Sequence, residues 1–322
     1  MDQRHTTEPP LHRIPGVEPP EGAEMFWLKA ADGVRLRAAF WPASNDRGVV
    51  ALFQGRTEFI EKFYEPVARL RALGLAVLTL DWRGQGLSDR LTPDRRLGFV
   101  RDFAEYQLDV DAALQALKAR APGAPLLLVS HSMGGAIAAR MLMRAASGDG
   151  AVPPMSGAVF SAPMLGLHGA AGSGLTRAVA VAAAGLGAER AYVPGGSARS
   201  LAEGGFDGNV LTSDPDRFER AYAGFVRAHP ELALGGASWG WVRAAVREMA
   251  RLRPTGARRL VAVGDAERVV SAEAARRYAR AAGGRLIDLV GGARHEPFLE
   301  TDAIQEQLWS AIGAFVEETL PR

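Results

Sequence analysis

The chain has 322 residues, 48% hydrophobic and 23% charged, with a formal net charge of +2, which excludes whole-chain disorder and a collagen-like structure. It contains no cysteine, and this excludes disulfides, thiol catalysis, cysteine-ligated zinc and iron–sulfur clusters. No run of lysine and arginine exceeds two residues, so we expect no nucleic-acid partner.

The N-terminal segment is polar and rich in proline. Residues 1–24 contain five prolines and no apolar run, so we expect no signal peptide here and a polar tail on the surface. No later run reaches the roughly 18 apolar residues of a membrane span. We therefore expect a cytoplasmic protein without an integral membrane segment, for which transient contact with a membrane surface stays open.

From residue 25 onward, short apolar runs alternate with segments of helical spacing. Such repeated β-α-β units indicate an α/β fold with a mostly parallel sheet flanked by helices on both faces. The predicted strands are 25–28, 34–40, 49–53, 76–80, 126–129, 158–161, 259–263 and 285–289. The predicted helices are 59–73, 103–120, 133–144, 272–281 and 304–319.

Residues 163–253 interrupt this alternation. They contain no convincing buried strand, but have clusters of Gly and Pro and helical spacing at 218–226 and 239–249. We interpret them as a helical cap inserted into the fold. The predicted organisation is a tail (1–24), a first core part (25–162), the cap (163–253) and a second core part (254–322).

The strongest local motif lies where the strand 126–129 meets the helix that begins at Met133. Its sequence, Ser130-His131-Ser132-Met133-Gly134, resembles the nucleophile elbow G-x-S-x-G, with a serine in place of the first glycine. The motif predicts Ser132 as a nucleophile and the backbone N–H of Met133 as an oxyanion donor. The alternative is a plain strand–turn–helix junction with a capping serine.

A nucleophilic serine needs a base and an acid, which follow an elbow serine in the order acid, then histidine. Of the six histidines, His295 alone follows the last predicted strand, in a loop before a helix, and is the predicted base. Asp265 and Glu267 both follow the strand 259–263. Either carboxylate has the chemistry to accept a hydrogen bond from the histidine, and the residues alone do not choose between them.

The second oxyanion donor should come from the loop after the strand 49–53. We predict the Arg56 N–H in this role, with Gln54 and Gly55 bordering the substrate, since a glycine allows close approach of the backbone. A second reading of this loop, compatible with the first, is that Thr57 caps the following helix. The nearby G-x-G at Gly84–Gly86 lacks the third glycine of a dinucleotide fingerprint and predicts a structural loop.

Together these motifs resemble the α/β-hydrolase superfamily, and within it the lysophospholipase L2 and monoacylglycerol lipase-like branch of the serine aminopeptidase S33 type. The resemblance covers nearly the whole chain beyond residue 25. The segments that carry it are LFQGRTEFIEKFYE, DWRGQGLSDR, VSHSMGG, NVLTSDPDRFERA, GDAERVVS and GARHEPFLE. Family members usually have His-Gly where this chain has Gln54-Gly55, and an Asp where it has Glu267. The resemblance thus implies Glu267 as the acid, with Asp265 as the alternative.

The resemblance implies a serine hydrolase that forms an acyl-enzyme on Ser132 and needs no cofactor or metal. Apolar residues of the predicted cap, such as Met164, Phe218 and Trp241, suit a lipid-like ester with an acyl chain. Cap arginines 217, 220 and 227 could meet a phosphate head group or could simply be solvated. The alternatives are a non-catalytic scaffold that binds a ligand, and a peptidase or acyltransferase with the same triad.

Overall fold

A computed structural model describes residues 8–43 and 47–320. Its centre is a sheet of eight strands. They are β1 (Glu24–Lys29), β2 (Arg35–Trp41), β3 (Gly48–Phe53), β4 (Leu75–Leu80), β5 (Leu126–His131), β6 (Gly157–Ser161), β7 (Arg259–Gly264) and β8 (Arg285–Leu289). Their order in the sheet is β1-β2-β4-β3-β5-β6-β7-β8. β2 runs antiparallel to both of its neighbours, and the strands that follow it in this order, from β4 to β8, pair in parallel.

The five central strands, β3 to β7, are buried along their whole length, as expected for parallel strands covered on both faces. Helices α1 and α9 pack on one face and α2, α3 and α8 on the other. The predicted α/β fold class is therefore confirmed. The helices are α1 (Tyr64–Ala72), α2 (Glu105–Arg120), α3 (Met133–Ala146), α4 (Gly174–Gly185), α5 (Pro215–Phe218), α6 (Gly224–Ala228), α7 (Trp239–Arg251), α8 (Ala272–Arg280) and α9 (Asp302–Thr319).

The helix predicted over 59–73 is divided in two. Residues Ile60–Phe63 form a 3₁₀ turn, and the α-helix begins only at Tyr64. Pro66 accounts for this start, because proline lacks the backbone N–H that an interior helical residue donates and is tolerated only in the first turn.

The described part of the N-terminal segment, from residue 8, packs on the core; residues 1–7 of the predicted tail lie outside the described part. The Pro10 carbonyl accepts a hydrogen bond from Arg37 at 3.1 Å, and the Tyr64 hydroxyl donates to the His12 carbonyl at 2.6 Å. The His12 N–H donates to Glu61, which also pairs with the fully buried Arg37. The segment thus covers a buried ion-pair cluster.

Between β6 and β7 the structure contains helices α4 to α7 and short 3₁₀ turns, with a π-helical turn at Glu219–Ala223. This segment contacts the long loop between β4 and α2, where the Gly98 N–H donates to the Gly236 carbonyl and the Gly98 carbonyl accepts from the Ser238 N–H. Its delimitation as a cap at 163–253 remains our proposal. Within 8–43 and 47–320, no helix is both long and apolar enough to cross a membrane.

Candidate active site

The candidate nucleophile sits on a sharp turn between β5 and α3. Ser132 has φ 49° and ψ −116°, a conformation that costs a non-glycine residue on the order of 1–3 kcal/mol and is found mainly at functional sites. A Cβ at Gly134 would lie 2.2 Å from the Phe53 carbonyl oxygen. Position 134 therefore requires glycine if α3 is to approach β3 this closely.

Ser130 replaces the usual first glycine of the elbow without disrupting it. Its side chain is fully buried, and its hydroxyl donates to the Val159 carbonyl on β6 at 3.0 Å. The hydroxyl is therefore satisfied within the sheet, and the turn at Ser132 keeps the strained conformation of a nucleophile elbow.

Three side chains from different strand ends form one hydrogen-bonded chain. The Ser132 Oγ lies 2.9 Å from the His295 Nε2, and the His295 Nδ1 lies 2.7 Å from the Glu267 Oε2. All three residues are buried, with Ser132 8% exposed. This is the arrangement in which a histidine can accept the serine proton while the carboxylate stabilises the resulting imidazolium.

Glu267 is held as a carboxylate. Its other oxygen, Oε1, accepts hydrogen bonds from the backbone N–H groups of Val269 and Val270 at 2.6 and 3.1 Å. Burial favours the neutral acid. The hydrogen bond with His295, the charge of His295 and the two backbone hydrogen bonds outweigh burial and lower the pKa of Glu267. The carboxylate thus remains available to the imidazolium at neutral pH.

Asp265, the alternative acid, does not reach the histidine. Its carboxylate accepts hydrogen bonds from the Gly291 and Gly292 N–H groups at 3.1 and 3.0 Å. It therefore fixes the loop after β8, which carries His295, while Glu267 contacts the imidazole itself.

Two backbone donors are free beside Ser132. In the part of the chain that the structure describes, the N–H groups of Arg56 and Met133 donate no hydrogen bond. A Cβ at Gly55 would lie 3.1 Å from the Ser132 Cβ, so glycine allows the loop before Arg56 to approach the serine. The arrangement fits an oxyanion hole formed by one donor on each side of the serine.

Gln85 clamps the loop that carries the Arg56 donor. Its side-chain amide donates to the Gly55 carbonyl at 3.0 Å and accepts from the Thr57 N–H at 3.1 Å. Thr57 has φ 66° and its hydroxyl donates to the Arg56 carbonyl, so the prediction that Thr57 caps a helix was wrong. The 3₁₀ turn at Ile60–Phe63 starts after Phe59, with no side-chain cap.

The predicted role of Gln54 is only partly compatible with its position. Its side chain is fully buried and donates to the Thr79 hydroxyl at 3.0 Å, and its carbonyl accepts from the Trp82 indole at 2.9 Å. Gln54 therefore supports the loop from inside the sheet. Gly55 is the member of the predicted substrate-bordering pair that adjoins Ser132.

We expect Gln85→Leu to lower kcat for ester hydrolysis by about tenfold to a hundredfold. The change displaces the Arg56 N–H, whereas complete removal of one oxyanion donor lowers kcat by about 10²–10³-fold. Gln107→Leu is the matched control, because Gln107 is also buried and donates to the Ile137 carbonyl outside the site. Steady-state kinetics with equal losses of kcat in both variants would contradict the clamp.

A buried polar network, which sequence reasoning missed, lies beside the imidazole. The Lys62 ammonium donates to Glu58 and Glu296 at 2.7 Å each, the His131 Nε2 lies 3.1 Å from Glu296, and the His131 ring is 5.0 Å from that of His295. Burial disfavours the charged forms, but His131 and Lys62 hold the pKa of Glu296 well below its usual value. Glu58 and Lys62 share one segment, but His131 and Glu296 come from two distant ones, so no local motif could reveal the network.

Two groups of ligand-type side chains come together in the described structure, although the sequence shows no local metal-ligand spacing. They are His12 with His229 and Glu231, and Glu58 with His131 and Glu296. In the second group the Lys62 ammonium already bonds both carboxylates. A cation of the chain itself therefore already bridges the two carboxylates of that group.

The family described as serine aminopeptidase, S33, matches residues 44–302. Lysophospholipase L2 of Escherichia coli (strain K12) is 30% identical over 298 residues, which cover 88% of this chain and 84% of that protein. Monoglyceride lipase of Homo sapiens is 32% identical over 112 residues, 34% of this chain and 35% of that protein. A soluble variant of monoglyceride lipase from Saccharomyces cerevisiae, solved with a substrate analog, has a similar fold, with a TM-score of 0.70, 23% identity and coverage of 98% and 100%.

Proposed function

This chain belongs to the serine aminopeptidase, S33, family of α/β-hydrolases and is an ester-hydrolysing enzyme; we propose that it cleaves acyl esters of the lysophospholipid or monoacylglycerol type through an acyl-enzyme on Ser132. The family resemblance that the motifs indicated is thereby confirmed. The observation that carries the mechanistic proposal is the continuous hydrogen-bonded chain from Ser132 through His295 to Glu267.

In the first half of the reaction, the Ser132 Oγ attacks the ester carbonyl carbon while the His295 Nε2 takes the serine proton. The negative charge that develops on the carbonyl oxygen is stabilised by the N–H groups of Arg56 and Met133. When the intermediate collapses, the carbon–oxygen bond to the alcohol breaks, and the imidazolium gives its proton to the leaving alkoxide. The fatty acyl group remains bonded to Ser132.

In the second half, water replaces the alcohol. His295 takes a proton from the water as it attacks the acyl-enzyme, the same two N–H groups stabilise the new intermediate, and the proton returns to Ser132 as the fatty acid leaves. Glu267 stays ionised throughout and stabilises the imidazolium that forms in each half. No step requires a metal ion or an organic cofactor.

Exposed apolar side chains support the proposal of transient contact with a lipid surface. Val179 and Val181 lie on α4 and are 42% and 45% exposed, and Leu186 directly after the helix is 87% exposed. Residues of this type add to affinity for a membrane interface in proportion to the apolar area they bury. A vesicle-binding assay tests this contact. The alternative outcome is that the enzyme meets its lipid substrate in solution and does not bind the vesicles.

A substrate panel tests the proposed reaction. We expect hydrolysis of p-nitrophenyl esters and of monoacyl lipids, with a preference for medium to long acyl chains, and no turnover of aminoacyl p-nitroanilides. Anilide turnover at a rate comparable to that of the esters would favour the peptidase. Transfer of the acyl group to an added alcohol in preference to water would favour the acyltransferase, and inactivity on every ester would favour the scaffold.

A further inference from the structure

The Arg56 side chain is a cation without a counter-charge. Its Nη2 donates to the Gly235 carbonyl at 2.7 Å, whereas its Nε is buried with no hydrogen-bond partner. No carboxylate among the described residues forms an ion pair with it. Arg259, which also lacks a carboxylate partner, differs because it donates to the carbonyls of Tyr278, Thr255, Ala257 and Ala281.

The surroundings of the guanidinium are apolar or neutral. Its Cζ lies 5.2 Å from the centre of the Trp241 ring, and a Cβ at Gly98 would lie 2.4 Å from its Nη2. Burial lowers the pKa of Arg56 to about 10, so the group stays charged at neutral pH. A partly buried guanidinium with unfilled donors favours an anionic ligand, because the ligand offsets the loss of hydration.

Arg56 follows the residue that adjoins the serine, since a Cβ at Gly55 would lie 3.1 Å from the Ser132 Cβ. The backbone N–H of Arg56 is one of the proposed oxyanion donors, so its guanidinium lies at most one side-chain length from that donor. The covalent path from the backbone nitrogen of an arginine to its Cζ contains a fixed number of bonds. The path from the acyl carbonyl carbon of a 1-acyl lysophospholipid to its phosphorus contains the same number. A phosphodiester attached through glycerol therefore has the reach to meet the guanidinium.

Two of the three cap arginines that the sequence offered for this role have ion-pair partners. Arg217 pairs with Glu65, Asp214 and Asp302, and Arg227 pairs with Glu219. Their charges are balanced within the protein. Arg220 forms no ion pair among the described residues, but it is exposed and donates to the Gly16 carbonyl at 3.4 Å, so water solvates its charge. The Arg56 Nε, by contrast, is buried without a partner.

We propose that the Arg56 guanidinium binds the phosphodiester of a lysophospholipid and so favours this substrate over a neutral monoacylglycerol of the same chain length. This inference rests on the proposed ester hydrolysis at Ser132. A guanidinium–phosphate contact would use the Nη1 donors, which make no hydrogen bond within the described residues, together with the second N–H of Nη2.

The test compares 1-acyl lysophosphatidylcholine with the 1-monoacylglycerol of the same acyl chain, both below their critical micelle concentrations. The readout is the ratio of their kcat/KM values, in which any common loss at the oxyanion hole cancels. We expect Arg56→Met to lower the ratio about tenfold to a hundredfold, Arg56→Lys to restore part of it, and Arg227→Met to leave it unchanged. Arg227 is the control because its charge is paired with Glu219 at the protein surface.

An unchanged ratio in Arg56→Met would overturn the head-group assignment but leave the ester hydrolase intact. A wild-type enzyme that cleaves neither lipid, nor any simple ester, would overturn the proposed function and this inference together. Should Arg56→Met fail to fold, inhibition of wild-type monoacylglycerol hydrolysis decides instead. We expect competitive inhibition by glycerophosphocholine and no inhibition by glycerol. Inhibition by glycerophosphocholine should be weaker in Arg56→Lys. Equal inhibition by the two compounds would contradict the proposal.

Discussion

Ser132→Ala is expected to lower kcat for ester hydrolysis by about 10⁶-fold, the size of loss that removal of a triad nucleophile produces in serine hydrolases. The variant has no oxygen to attack the carbonyl, so only the free backbone donors and substrate binding remain. The measurement is kcat with a medium-chain p-nitrophenyl ester, together with the thermal unfolding midpoint. Because the strained turn at Ser132 is set by β5 and α3, we expect the fold to be retained.

Ser130→Ala is the matched control for this variant. Ser130 lies two residues away, in the same turn, but its hydroxyl donates to the Val159 carbonyl. Its loss should cost stability of about 1 kcal/mol and change kcat by less than about tenfold. Wild-type rates in Ser132→Ala, or an equal loss in Ser130→Ala, would mean that the reaction does not proceed through the Ser132 hydroxyl.

Glu267→Gln is expected to lower kcat by about 10⁴-fold, as the corresponding amide substitution does in other serine hydrolases. The amide oxygen can keep the backbone bonds to Val269 and Val270, which turns its NH₂ group toward the His295 Nδ1. The imidazole then carries its proton on Nε2 and cannot accept the proton of Ser132. KM should change little, since Glu267 lies behind the histidine.

Asp265→Asn tests whether Asp265, rather than Glu267, is the acid of the triad. Asp265 bonds the Gly291 and Gly292 N–H groups, so the variant should keep kcat within about tenfold and lose some stability. Kinetics of the two variants measured side by side decide between the carboxylates. A large loss in Asp265→Asn with little effect of Glu267→Gln would reverse their roles.

The fold and two of the candidate catalytic residues could be predicted from the sequence because their signals are local. Buried strands appear as short apolar runs, and Ser132 sits in a motif that couples a strand end to a helix start. His295 is recognisable by its place after the last strand. The divided helix at 60–72 was missed because helical periodicity does not distinguish a 3₁₀ turn from the first turn of an α-helix.

The acid and the electrostatics of the site could not be derived from the residues alone. Asp265 and Glu267 follow the same strand, and only the three-dimensional path of the loop shows which of them reaches His295. The network around Lys62 and the missing counter-charge of Arg56 depend on side chains from segments far apart in the chain. Whether a charge is paired is a property of the packed structure, and no sequence window contains it.

Covalent labelling with a fluorophosphonate shows whether the Ser132 hydroxyl is the nucleophile. Trypsin releases residues 121–140, which contain both Ser130 and Ser132, so fragmentation of that peptide must locate the adduct. We expect one adduct per chain on Ser132, absent from Ser132→Ala and formed much more slowly in Glu267→Gln. A folded wild-type protein that stays unlabelled, or an adduct on any other residue, would show that Ser132 is not the nucleophile.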